Sequence, residues 1–205
     1  MLKIYQHPLS TFARRVRIML IEKNIDAESA ELIEVDMTAG AHKQQPYLGL
    51  NPYGRVPTLQ EDDFVLYEST AILDYLEATH PAPAHVPADA QGRMLVSMHM
   101  KLCDLQLARQ TGTIIFPKRF LPRDRWNEKA MAQAKQEIEQ HLEKVEQVLT
   151  GKEYLVGNTY SLVEVCYTPF VEFLPLMEIT PPPHVAAWTT RMLERPSALA
   201  TRPAK

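Results

Sequence analysis

Residues 80–87, HPAPAHVP, place three prolines in eight positions, and no regular element survives that density. Each proline removes a backbone donor and fixes its own φ, so a preceding helix ends here and none begins inside the segment. The stretch divides the chain, and the periodicity of the sequence differs on its two sides. The expected organisation is a first domain at 1–79, a linker at 80–87 and a second domain at 88–205.

Before the linker, LKIY at 2–5 is a short β-prone run, Pro8 breaks the chain, and 12–23 reads as a helix with Phe12, Val16, Met19 and Leu20 on one side. A second β-like run, ELIEVDM at 31–37, leads into a polar, short helical or irregular piece from Gly40 to Gln45. VPTL and FVLYE then flank QEDD as the arms of a hairpin flank its turn, and a helix follows at about 69–79. The first strand, helix and second strand suit a right-handed parallel unit, which makes this half a small α/β domain.

After the linker the pattern turns helical. In MAQAKQEIEQHLEKVEQVL the residues Met131, Ala134, Ile138, Leu142, Val145 and Leu149 recur every three or four positions, one face for a core and the other for solvent. SLVE at 161–164 fits a capping box ahead of an apolar run to Met177, since its Ser and Glu supply a hydroxyl and a carboxylate to orphan amides. PPP at 181–183 separates that run from a last amphipathic segment at Val185–Leu193, and there are no internal repeats.

Composition narrows the functions. With 205 residues, 45% of them hydrophobic, the chain can bury a core. Its 22 Lys and Arg against 25 Asp and Glu give a net charge of −3, which offers no footprint for nucleic acid. Cys103 and Cys166 stand far apart in apolar runs, without CxxC or metal-ligand spacing, and fit a reducing cytoplasm. No run approaches ~18 apolar residues, and Lys3 leading straight into a strand is no signal peptide, so a soluble cytoplasmic protein without membrane attachment or metal is expected.

Three stretches, HPLSTFARRV, GAHKQQPYLGLNPYGRVPTL and LYESTAI, together resemble the glutathione S-transferase family, most closely its plant-type phi class and the theta-like serine enzymes. They occur in the family's order, span most of residues 7–72, and are followed by a linker and a helical half of the expected size. YLVGNTYSLVEV is similar to the family's capping segment, with Glu164 where Asp is usual, a change expected to alter the cap slightly and leave function untouched. The resemblance implies an α/β thioredoxin-like N-terminal domain followed by an all-α helical C-terminal domain, usually as a homodimer. It implies glutathione as co-substrate and a small hydrophobic electrophile as its partner in a detoxification reaction.

A free thiol has a pKa near ~8.5, so only about 3% of it is thiolate at pH 7, and lowering that pKa by ~2 units takes roughly 2.7 kcal/mol. A hydroxyl donating to sulfur contributes ~1.5–3 kcal/mol and a helix N-terminus ~0.3–1 kcal/mol, together sufficient without base or metal. By resemblance Ser10, four residues before Arg14, is the catalytic hydroxyl. Read from the chain alone Ser10 is a helix cap, and Thr11, the alternative donor, has the same ordinary reading. Arg14, Arg15 and Arg17 oppose the dipole of the first turns when exposed, and are expected to pair with acidic groups of the protein or with the bound thiolate.

The resemblance also distributes the tripeptide. Glu68 and Ser69, at a strand end and helix start, take the γ-glutamyl amine and carboxylate, Val56 before a cis Pro57 pairs its backbone with the cysteinyl moiety, and His42 and Lys43 take the glycine carboxylate. Arg55 stands where phi-like proteins often have Gln. The electrophile pocket is assigned to Phe12, Met98, Leu102, Phe116 and Phe120, apolar residues that singly read as core, with Lys118 and Arg119 beside the last two. Alternatives are a non-catalytic ligand-binding or scaffold protein, a peroxidase using the same thiolate, and an isomerase, although the Ser-Ser-Cys run of the isomerases is absent. Thiol-disulfide exchange needs a cysteine where Ser10 stands.

Overall fold

The computed structural model, which describes residues 1–203, divides inside the proline segment. One unit holds residues 1–84 with the segment from Pro196, and the other holds His85–Arg195. Two anchors bracket the cut. The Pro83 carbonyl accepts from buried Lys23 Nζ at 2.6 Å, and the His85 carbonyl accepts from Leu162 N–H at 3.0 Å. Lys23 also pairs with Glu77, so one interior cation holds the end of the first unit down.

In the first unit β1 (Leu2–Gln6), α1 (Thr11–Glu22) and β2 (Ala30–Glu34) form the parallel crossover that the sequence predicts. A 3₁₀ turn at Ala41–Lys43 and a single turn α2 (Tyr47–Leu50) lead to β3 (Thr58–Glu61), β4 (Phe64–Tyr67) and α3 (Ser69–Thr79). The sheet order is β2-β1-β3-β4, with β3 antiparallel to both of its neighbours. The hairpin is tighter than QEDD suggests. Gln60 and Glu61 pair with Val65 and Phe64, leaving Asp62 and Asp63 to turn, and Asp62 takes a φ of 52°, a left-handed state that a short polar side chain tolerates. Ile4 and Leu59 of the sheet and Val16, Met19, Ile72, Leu73 and Leu76 of α1 and α3 are fully enclosed, which fixes the loops at the strand and helix ends.

The segment from Pro196, which chain order assigns to the helical half, packs in the first unit as α9 (Pro196–Ala200) against α1. Its partner explains why. Arg14 is interior, and its Nη2 donates to Ala198 O at 2.9 Å while its Nε donates to Thr201 Oγ1 at 3.3 Å. A buried guanidinium needs acceptors, and helix carbonyls supply them.

The second unit is helical, as expected. α4 (Ala90–Leu102) passes through a π-helical turn, Cys103–Ala108, into α5 (Arg109–Phe120), followed by a 3₁₀ turn, α6 (Glu128–Leu149), α7 (Leu162–Val171) and α8 (Pro183–Leu193). Every apolar α6 position picked out by its spacing is buried, and α7 is buried on all sides. Among the described residues no helix is long and apolar enough to cross a membrane.

Glu164 forms the expected capping box with Ser161 and reaches further than a cap. One oxygen accepts the Ser161 N–H at 2.9 Å and its hydroxyl at 2.7 Å, while the other accepts Leu155 N–H at 3.1 Å and Trp188 Nε1–H at 3.2 Å. The carboxylate thus joins the start of α7 to the preceding loop and to α8. Burial pushes its pKa up, against the pull of those hydrogen bonds.

Behind α7, His141 Nε2 lies 2.9 Å from Tyr167 Oη. Burial, then Lys144 and His99, hold the imidazole down to about 4. The unfolded chain therefore binds the extra proton between about pH 6.5 and 4, and this group's contribution to stability is lost as pH falls through that window. Nitrogen-15 NMR of the folded protein at pH 5.5 is expected to show His141 neutral, and a protonated ring there contradicts the assignment.

Candidate functional site

Ser10 is the N-cap of α1, and its Oγ accepts the Ala13 N–H at 3.2 Å. Cap and chemistry do not compete for the same part of the group. The cap uses a lone pair, and the hydroxyl proton remains available to an acceptor lying off the helix end. Thr11 is the first residue of the helix and makes no side-chain hydrogen bond among the described residues.

The arginines that follow are not surface charges. Arg14 and Arg15 are 1% and 0% exposed. Arg15 Nη1 donates to Ser69 Oγ at 3.1 Å, and its guanidinium lies 5.1 Å from the centre of the Phe12 ring. Arg17 Nη2 donates to the Pro8 carbonyl at 2.8 Å, and burial followed by Arg14 lowers its pKa to about 10, which leaves it charged at neutral pH.

Glu68 occupies the N-cap of α3 with φ 72° and makes no capping bond of its own. A non-glycine residue in that region is sparsely populated and costs of order 1–3 kcal/mol, held only where surrounding structure enforces it. Here it turns the chain from β4 directly into α3, with Glu68 exposed and Ser69 buried as the first helical residue. The Ser69 oxygen, like that of Ser10, is an acceptor already and keeps its proton to donate.

Phe12, Arg55, Val56, Pro57, Glu68 and Ser69 line one cavity of about 70 Å³, and Asn51, absent from the sequence-based site, joins them. The Val56–Pro57 bond is cis, as the resemblance implies. Val56 lies just before β3, and its backbone N–H and C=O take no hydrogen-bond partner among the described residues, the state of a strand edge open to another backbone. A polar clamp holds this corner. Tyr47 Oη donates to Arg55 O at 2.6 Å and lies 2.9 Å from Thr58 Oγ1, and Asn51 Nδ2 donates to the same carbonyl at 2.9 Å. Burial raises the Tyr47 pKa, so the phenol stays a donor. These positioning groups went unrecognised in the sequence because their partners lie across a turn; the polar Asn51 between Leu50 and Pro52 was the available signal.

His42 and Lys43 do not line that cavity but are drawn alongside its Arg55 wall. Gly54 does this, with φ +55° and its α-carbon so close to the 3₁₀ turn that an added Cβ would sit 2.5 Å from the His42 carbonyl. Lys43 Nζ donates to Tyr53 O at 3.1 Å, and His42 Nδ1 is enclosed without a hydrogen-bond partner among the described residues.

The five apolar residues assigned to an electrophile pocket are mostly outside the core. Phe12, Met98, Phe116 and Phe120 are all exposed, and Leu102 is half-buried. In the second unit Met98 and Leu102 line a cavity between α4 and α6, whereas Phe116 and Phe120 are absent from its lining and pack on each other at 5.4 Å. Arg119 lies over Phe120 and Phe173, and Lys118 pairs with Glu178 at 2.6 Å. Helical spacing showed that these residues share faces, but not whether another element covers those faces. Among the described residues no group of three or more His, Cys, Asp or Glu side chains is arranged to hold a metal ion.

Residues 4–84 match the family described as glutathione S-transferase, N-terminal domain, and residues 111–196 match its C-terminal domain. Glutathione S-transferase F7 of Arabidopsis thaliana is 31% identical, the match covering 96% of this chain and 97% of that protein. Glutathione S-transferase APIC of Nicotiana tabacum is 29% identical over 96% and 94% of the two chains. The crystal structure of glutathione transferase F7 from Populus trichocarpa superposes with a TM-score of 0.88 at 30% identity, covering 98% of this chain and 97% of its own.

Proposed function

The chain belongs to the glutathione S-transferase family, and from that premise we propose that it conjugates the glutathione thiolate to small hydrophobic electrophiles, with Ser10 holding the sulfur anionic. The observation that carries this reading is the hydrogen-bond state of Ser10. Its oxygen accepts the Ala13 N–H through one lone pair, which leaves its proton available for donation at the positive end of α1. Donation to sulfur stabilises the anion and not the neutral thiol, which lowers the thiol pKa and raises the nucleophile's concentration at neutral pH. Thr11 is the alternative donor.

The rest of the tripeptide is read onto the same unit. Ser69 and the N-terminal amides of α3 take the γ-glutamyl carboxylate, Glu68 takes the amine, and Arg15, donating to Ser69 Oγ, strengthens that hydroxyl as a donor. Val56 pairs its free backbone with the cysteinyl moiety across from cis Pro57, with Arg55 beside it. His42 and Lys43 take the glycine carboxylate. Exposed Phe12, which lines the same cavity, supplies apolar surface for the electrophile. The same reading makes the protein a cytoplasmic homodimer that detoxifies electrophiles.

Retention on immobilised glutathione combined with conjugation of a generic aromatic halide tests it. The protein is expected to bind, to elute with free glutathione, and to form the thioether. Binding without turnover would replace this reading with a non-catalytic carrier.

A further inference from the structure

Arg17 follows Ser10 by seven residues, two turns of α1, so the two share a side of the helix. Helical side chains lean toward the N-terminus, and this one runs back past the helix start to donate from Nη2 to the Pro8 carbonyl at 2.8 Å. Among the described residues no carboxylate pairs with it, and its Nε is enclosed without a hydrogen-bond partner. A loop carbonyl thus stands where an acidic partner is expected.

That carbonyl belongs to the turn that carries Ser10. Ser10 N–H donates to His7 O at 3.0 Å and Leu9 N–H donates to His7 Nδ1 at 3.2 Å, bonds that close residues 7–10 on themselves. Among the described residues, the Arg17 bond is the one hydrogen bond that ties Pro8 or Leu9 to the body of α1. It also strengthens the turn from within. A charged donor on the Pro8 oxygen polarises the peptide that oxygen shares with the Leu9 N–H, and that N–H holds the residue whose carbonyl holds Ser10.

The placement is costly for a cation. Burial and then Arg14 lower the Arg17 pKa to about 10, and an apolar side chain would fill the half-buried position without that penalty. We propose that Arg17 is a positioning residue for Ser10, fixing the turn through Pro8 so that the hydroxyl proton stays aimed off the helix end; the inference rests on Ser10 donating to sulfur. Hydrogen bonds weaken steeply with misalignment, so a turn released from α1 gives up part of the donation while keeping the hydroxyl.

The test is thiolate absorbance of the glutathione complex against pH, with steady-state kinetics, in the parent, Arg17→Met and Arg17→Lys. Methionine removes donor and charge, lysine keeps both, and each is a good helix former, so α1 persists. Arg17→Met is expected to raise the sulfur pKa by about 0.5–1 and to lower kcat/KM for an aromatic halide at pH 6 by about 3- to 8-fold. The deficit is expected to vanish at alkaline pH, with KM for glutathione within about twofold of the parent and with Arg17→Lys recovering at least half of the pKa change. Parental ionisation in Arg17→Met, a deficit equal at every pH, or no recovery by lysine would each overturn the proposal and leave the Ser10 reading standing. A parent complex whose sulfur ionises as it does in buffer overturns both.

Discussion

Replacing Ser10 by alanine is expected to lower kcat/KM for an aromatic halide at pH 7 by about 10- to 100-fold, the worth of one hydrogen bond to a charged group at ~1.5–3 kcal/mol. The loss should be concentrated in the ionisation of sulfur. The acid limb of the pH–rate profile moves up by about 1–2 units, and the variant approaches the parent enzyme at alkaline pH, where solvent alone ionises the thiol. Glutathione affinity changes little, since the tripeptide's carboxylates and amine are held by other groups. Alanine also removes the α1 cap, a cost of ~0.5–2 kcal/mol in stability, so Ser10→Gly, which costs a cap only a few tenths, separates the two effects by losing activity at near-parental stability. Thr11→Ala is expected to stay within about threefold of the parent. The reverse ranking, Thr11→Ala impaired and Ser10→Ala normal, transfers the role to Thr11.

Glu164→Ala should give the largest loss of stability of any single change considered. It strips the acceptor from Leu155 N–H, Ser161 N–H, the Ser161 hydroxyl and Trp188 Nε1–H inside a unit where Glu164 itself is 0% exposed. Each buried donor left unmet costs ~1–3 kcal/mol, which puts the total above about 4 kcal/mol and the fall in melting temperature at roughly 10 °C or more. Glu164→Gln retains one accepting oxygen and is expected to lose about half as much. Thermal unfolding followed by circular dichroism measures both, and a shift below about 3 °C for the alanine variant contradicts the role given to this carboxylate.

The comparison of sequence with structure divides along locality. The α6 face, the capping box and the parallel crossover were legible because each rests on contacts a few residues apart or on one periodicity. Ser10 was legible as a choice between cap and chemistry, and its geometry dissolves the choice, since one oxygen accepts for the helix and keeps a proton to donate. The sequence asked for partners to the arginines but could not name them: Arg14 and Arg15 find acceptors at Ala198, Thr201 and Ser69, far along the chain. The same nonlocality hid the packing of α9 in the first unit and the Tyr47–Asn51 clamp on Arg55. Phe12, Met98, Phe116 and Phe120, which singly read as core, are exposed, because spacing along a helix does not tell which of its faces another element covers.

The most direct measurement is the ultraviolet absorbance of the thiolate in the protein–glutathione complex, titrated against pH in the parent and in Ser10→Ala. A sulfur pKa near 6.5 in the parent, about 2 units below that of the free thiol, and a return toward ~8.5 in the variant are the results expected. If both complexes ionise together at the pKa of glutathione in buffer, the Ser10 hydroxyl does not hold the thiolate and the catalytic reading is contradicted.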